Sequence, residues 1–183
     1  MASPSPAANA LIAKLDAFYN ALLAFQTNTS DENLQRLGAF FAPNCIAEPR
    51  SMRHWKHRAI GRDAAMQAYR DMLGEQVLKE RRVVSQVAVA DADAAAGGPR
   101  VYCEMANRYD VQGLELDPIL ETVVVRFSDA LGKEIVKWKT YNCQSPVAAL
   151  TQQATGKGLY ANVRVLPAPV RDYYSAVVLT DIF

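Results

Sequence analysis

Cysteine is scarce in this sequence and never paired at short range. Cys45, Cys103 and Cys143 are an odd number, spread through expected strands with no C-x-x-C pair, which argues against a disulfide framework or a zinc site. A reducing compartment is expected. Histidine is scarcer still: His54 and His57 have no ordered carboxylates around them, so no metal is expected. Charge of one sign is missing too, because 20 Lys and Arg face 19 Asp and Glu for a net +1. No bulk field therefore draws nucleic acid or an anionic membrane. The exception is a basic cluster over residues 50–62, which reads either as a solvated loop or as a face for phosphate or an acidic partner. Long hydrophobic runs are absent near the N-terminus: MASPSPAAN has no basic region, and the apolar segment after it is broken by Lys14, Asp16 and Asn20. Neither a signal peptide nor a membrane span fits, and a cytoplasmic location is expected. There is no internal repeat, glycine-rich phosphate loop or nucleophile elbow.

What is present suits one domain with a proper core in 183 residues. Residues 1–8 read as a disordered tail and residues 9–145 as the domain. Asn9 is the expected cap of a first helix reaching about Gln26, with Leu11, Leu15, Phe18, Tyr19, Leu22 and Phe25 on its apolar stripe. Ser30 caps a second, with Asp31 and Glu32 in the first turn and Leu34, Leu37, Phe40 and Phe41 buried before Pro43. A short strand over residues 45–48 follows, and residues 49–60 have no period. Gly61 opens a third helix with Ala64, Ala65, Met66, Tyr69, Met72 and Leu73 apolar. Strands come next: residues 82–90, with Val83, Val87 and Val89 on one face, then residues 100–111, turning near Gly113. Residues 121–127 and 135–141 form a hairpin around Asp129 and Gly132. Helices first and antiparallel strands after make an α+β chain whose curved sheet wraps the helices. Residues 146–183 are interrupted by proline and glycine yet end in YYSAVVLTDIF. That extension is expected to cover the sheet, a pocket mouth or another subunit.

Alternation in the hairpin puts Glu121, Val123, Val125 and Phe127 on one face, and Val136, Trp138, Thr140 and Asn142 on one face of its partner strand. This suits a pocket with an apolar floor and a few fixed polar groups. Glu121 is the leading candidate for a general acid or base, since a carboxyl on an apolar face loses solvation and its pKa rises. Its other reading is a rim or interface glutamate paired with Lys or Arg. Asp16 and Asn20 either edge the helix stripe and meet water or point into a cavity. Tyr19 either bonds a substrate carbonyl or is plain core. In residues 100–111 one face carries Cys103, Met105, Asn107 and Tyr109, and the other carries Tyr102, Glu104, Ala106 and Arg108. His54 and His57 are proton shuttles or bystanders in a loop.

The phrases ALIAKLDAFYNALL, FFAPNC, IGRDAAMQAYRDML and GKEIVKWKTYN, in this order and spacing, resemble the SnoaL-like branch of the nuclear transport factor 2-like superfamily over residues 10–145. The resemblance implies a cone-shaped α+β barrel, with three N-terminal helices packed in a curved, mainly antiparallel sheet, commonly as a homodimer. Members include polyketide cyclases, ketosteroid isomerases, dehydratases and limonene epoxide hydrolases, beside non-catalytic binding and transport domains. Where the epoxide hydrolases have W-R-D-Y-F-D this chain has Trp138, Lys139, Thr140, Tyr141, Asn142 and Cys143, so Thr140 replaces the pocket carboxylate. Their arginine and aspartate fall near Met105 and Asn107, so that mechanism is not expected. The aspartate and histidine of polyketide cyclases have no equivalents. The resemblance places Cys103, Met105, Asn107 and Tyr109 inside and the two histidines at the pocket lip. It implies a cofactor-independent isomerase, cyclase or dehydratase acting on a hydrophobic polyketide or terpenoid intermediate of secondary metabolism. Glu121, Asp16, Tyr19 and His57 are then catalytic candidates, with Phe18, Met105, Asn107, Tyr109, Val123, Trp138, Thr140, Asn142 and His54 around the substrate. The alternative is a non-catalytic domain of the same fold that binds a small ligand or a protein.

Overall fold

Helix α1 (Pro6–Thr27) starts earlier than its apolar stripe requires. Ser5 Oγ accepts from Ala8 N at 3.2 Å, and a proline in the first turn has no amide hydrogen to leave unpaired. The cap is therefore Ser5, not the expected Asn9, and residues 6–8 are helical. In the computed structural model residues 5–48, 58–90 and 97–142 are described, with residues 152, 155 and 156 beyond them. Helix α2 (Asp31–Gly38) has Ser30 as its cap, whose Oγ accepts from Asn33 N at 3.3 Å. It ends at Gly38, so Phe41 opens strand β1 (Phe41–Glu48) instead of closing the helix. Strand β1 thus begins well before the expected residue 45.

After β2 (Ala59–Ile60) come α3 (Arg62–Leu73), β3 (Val77–Glu80), β4 (Val83–Val89), β5 (Arg100–Val111), β6 (Leu114–Phe127) and β7 (Ile135–Asn142). Among the described residues the strands form one seven-stranded sheet in the order β2-β1-β7-β6-β5-β3, with β4 also on β5. All pairs are antiparallel except β1 with β7. Pro43 cannot donate to a ladder, and it falls where the β1 and β7 register breaks, between Phe41 and Ile46.

Strands β3 and β4 share one edge of β5, β3 along Arg108 to Asp110 and β4 along Arg100 to Met105. Between them the chain bends at Arg81 and Arg82. Asn107 holds the bend, its Oδ1 accepting from Arg82 N at 3.3 Å, while Ala106 N donates to Arg82 O at 2.8 Å. A bulge between Val83 and Ser85 corrects the simple alternation of β4. Val83 stands opposite Met105, whereas Val87 and Val89 stand opposite Tyr102 and Arg100 on the other face.

The inner face of the sheet carries Val101, Cys103, Met105, Val123, Val125 and Trp138, all buried. Tyr102, Leu120 and Tyr141 are exposed on the outer face, so the register of β5 is the one with Met105 and Asn107 inside. Phe18 of α1 sits at the centre of the packed rings, with its centroid 4.5 Å from Trp138, 5.6 Å from Tyr19 and Phe41, and 5.9 Å from Tyr69. Such contacts each add about 0.5–1.5 kcal/mol beyond area burial. In the turn between β6 and β7, Gly132 has φ +72° and lies against Leu11 and Lys14 of α1, where a Cβ would come within 3.3 Å of both. No helix among the described residues is long and apolar enough to cross a membrane.

Candidate functional site

Alternation along β6 turns Glu121 inward with Val123 and Val125, and pairing sets it in a row with Met105 of β5 and Asn142 of β7. Glu121 is 7% exposed. Its Oε2 accepts from Tyr109 Oη and Asn142 Nδ2, each at 3.1 Å, and its Oε1 accepts from Tyr19 Oη at 3.3 Å. Burial pushes the carboxyl pKa up; the Tyr109, Tyr19 and Asn142 donors and the more distant Arg81 charge pull it down, and burial wins. The result is a carboxyl held by three neutral donors and ready to exchange a proton above the ordinary carboxylate range.

The phenols of Tyr19, Tyr69 and Tyr109 are pushed well above their ordinary value, first by burial and then by the Glu121 charge. They remain hydroxyl donors through neutral pH. Tyr69 Oη is buried and has no hydrogen-bond partner among the described residues. Sequence reasoning missed it because Tyr69 reads only as one apolar position on α3.

Arg81 was missed as well. It lies in the charged run Lys79, Glu80, Arg81, Arg82, which reads as solvated surface. In the bend between β3 and β4 it faces inward, where its guanidinium lies 4.3 Å from the Tyr19 ring centroid and its Nη1 donates to Asp16 Oδ1 at 2.7 Å. Gln86 Nε2 also donates to Asp16 Oδ1, at 3.1 Å. Asp16 thus sits at the edge of the α1 stripe with its side chain 44% exposed, bound to Arg81 and not among the hydrogen-bond partners of Glu121. Asn20 is exposed.

The other candidates divide by what they touch. Tyr19, Tyr109 and Asn142 meet at Glu121, with Met105 opposite it. Phe18 and Val123 are core. Trp138 Nε1 donates to Thr140 Oγ1 at 3.0 Å, so those two polar groups satisfy each other. Asn107 holds the backbone of Arg82 through Oδ1, with Nδ2 3.9 Å from Met105 Sδ. His54 and His57, and the 146–183 extension apart from residues 152, 155 and 156, lie outside the described residues.

Two surface grooves are formed by described residues. One, of about 420 Å³, runs between α2 and α3 along Leu34, Gly38, Met66 and Arg70. The other, of about 410 Å³, runs between α1 and β4 along Ala8, Ile12, Gln86 and Ala88. Neither is lined by Glu121.

Among the described residues, three helices lie against an open curved sheet in a cone-shaped α+β fold. Solved structures with this fold are similar over most of the chain. An LEH-like epoxide hydrolase from M. tuberculosis is 17% identical, covering 82% of this chain and 95% of its own, with a TM-score of 0.54. The pinacolase of Penicillium brevicompactum is 10% identical, covering 85% and 97%, with a TM-score of 0.57. A steroid delta-isomerase from Pseudomonas aeruginosa is 18% identical, covering 96% and 99%, with a TM-score of 0.53. No protein-family model matches the chain, and no curated protein matches it. At these identities the likeness is one of fold.

Proposed function

We propose that this chain is a cofactor-independent acid–base enzyme, an isomerase, cyclase or dehydratase, acting on a hydrophobic polyketide or terpenoid intermediate of secondary metabolism. The observation that carries this reading is Glu121, a buried carboxyl with raised pKa bonded to Tyr19, Tyr109 and Asn142. Ionised, it takes a proton from the carbon next to a carbonyl, while the C–H electron pair moves toward the carbonyl oxygen. Once Glu121 is protonated it needs fewer donors, and the hydroxyls of Tyr19 and Tyr109 are free to turn toward the new oxyanion. Similar folds include one named a steroid delta-isomerase and one named a pinacolase, and we carry that kind of use to this chain. A cytoplasmic homodimer belongs to the same proposal, its dimer contact supported by the exposure of Tyr102, Leu120 and Tyr141 on the outer sheet face.

A second reading is a non-catalytic domain holding a small ligand or a protein. It is favoured by the two surface grooves, neither of which is lined by Glu121. Native mass spectrometry of protein taken directly from its producing cells tests the two together. A co-purifying apolar metabolite that is turned over by the wild type and not by Glu121→Gln supports the enzyme. A metabolite bound equally by both and never converted supports the binder.

A further inference from the structure

The outer face of the sheet carries a row of like charges. Arg100 of β5 pairs with Arg126 of β6, and Arg126 pairs with Lys137 of β7, so three cations stand directly opposite one another on neighbouring strands. With strands about 4.8 Å apart, the row is about 10 Å long. Its flanks are neutral, with Val89 of β4 beyond Arg100 and Ile46 of β1 beyond Lys137. Like charges directly opposite destabilise a sheet. The row therefore opposes the pairing of the strands that carry it.

Among the described residues nothing neutralises Arg126 or Lys137. Neither forms an ion pair or a hydrogen bond there, and Arg126 Nε is enclosed without an acceptor. The adjoining row differs, since its one cation, Lys139, meets Glu48 at 3.8 Å. Arg100 is held in place, its Nε donating to Tyr102 Oη at 2.9 Å and its Nη1 to Gly98 O at 3.2 Å. Gly98 also lies close to Arg126, whose Nη2 is 3.9 Å from where a Cβ on that glycine would stand. The two guanidiniums thus converge beside one backbone position.

Next to the row Val87 and Tyr102 stand opposite each other, both exposed. Tyrosine and arginine are the residue types that carry binding energy in protein interfaces. The face is open, and neither surface groove includes a member of the row. A small anion there would be touched from one side only, whereas an extended acidic segment engages all three charges at once. A second copy laid row on row would set cation against cation, which like-charge repulsion opposes.

We infer that Arg100, Arg126 and Lys137 form the docking surface for an acidic segment of a partner protein, with carboxylates on the row and an apolar side chain on Val87 and Tyr102. This goes beyond the acid–base reading and is independent of it, because Glu121 lies on the inner face and the row on the outer.

Fluorescence anisotropy of a labelled octaglutamate peptide with the full chain tests it, with octalysine as the control. Octaglutamate is expected to bind at low salt and to weaken as salt rises, and octalysine not to bind. Arg126→Glu is expected to weaken octaglutamate by about tenfold, the worth of one charge-assisted contact. Arg36→Glu on α2, with the same change of net charge, should leave it unaltered. Arg126→Glu also sets a carboxylate between Arg100 and Lys137, so its melting temperature is expected to rise. A lower melting temperature overturns the argument from like charge. Octaglutamate binding that is absent, or equal in wild type and Arg126→Glu, overturns the docking surface. Displacement of the peptide by an equal concentration of inorganic phosphate overturns the acidic segment in favour of a small-anion site. Self-association that Arg126→Glu abolishes, with no peptide bound, assigns the row to a second copy and overturns it likewise. If Arg126→Glu does not fold, as read by circular dichroism, Lys137→Glu is read in its place.

Discussion

Asn142 stands directly opposite Glu121 across β6 and β7 and donates from Nδ2 to Glu121 Oε2 at 3.1 Å. Asn142→Asp keeps the shape and replaces the donor with a second carboxyl. Like charges directly opposite in a ladder destabilise it, and losing the donor to a buried acceptor costs about 1–3 kcal/mol. Urea unfolding should show the variant weakened by that amount at neutral pH and recovering in acid, where the carboxyls are protonated. Equal stability at neutral pH would reject the contact.

The Glu121 pKa is raised on folding from its ordinary value of 4.5, which sets a sign for stability against pH. Below the unfolded-state value both states carry the proton and the contribution is fully present. As pH rises through the raised folded-state value, the buried group must ionise and the contribution is lost. The stability of the wild type minus that of Glu121→Gln should therefore fall as pH rises through this window. A difference that grows with pH would mean that the carboxylate gains more from its donors than it loses to burial.

For turnover, Glu121→Gln should lower kcat by about a hundredfold to ten-thousandfold, the usual worth of a positioned acid or base. Tyr109→Phe removes a donor that lowers the Glu121 pKa. With Glu121 as base, the rising limb of the pH–rate profile should move to higher pH in that variant. An unmoved limb would assign the limb to another group.

Thr140→Val preserves volume and takes the acceptor from Trp138 Nε1, which now bonds Thr140 Oγ1 at 3.0 Å. A buried indole N–H left unpaired costs about 1–3 kcal/mol. Chemical denaturation measures the loss, and the indole N–H resonance should shift more than any backbone amide in β6. No loss of stability would mean that Trp138 finds another acceptor.

Gly132→Ala puts a Cβ on a residue at φ +72°, within 3.3 Å of Leu11 and Lys14. The left-handed conformation alone costs about 1–2 kcal/mol, and α1 must move to admit the methyl group. The expected result is a lower melting temperature with an unchanged far-ultraviolet spectrum. An unaltered melting temperature would show that the turn relaxes to another shape.

From residue pattern alone, what was determined is what local periodicity can carry. The stripe from Leu11 to Phe25 dictated α1, and alternation put Glu121 on one strand face with Val123 and Val125, because a period of two sets residues two apart on the same side. Which face of β5 turned inward stayed open. Tertiary structure decided the rest. Strand β3 is four residues long with two charged, too short for a period to declare itself, and the parallel pairing of β1 with β7 joins segments that no local signal connects. The bulge after Val83 reversed half of β4 relative to simple alternation. Arg81 turns inward because the irregularity between Leu78 and Glu80 shifts the register of β3 on β5 by one residue. The carboxyl at the centre of the site was therefore readable from its own strand, while the tyrosines, asparagine and arginine that set its chemistry were brought to it from α1, the far end of β5, β7 and the bend between β3 and β4 by long-range packing.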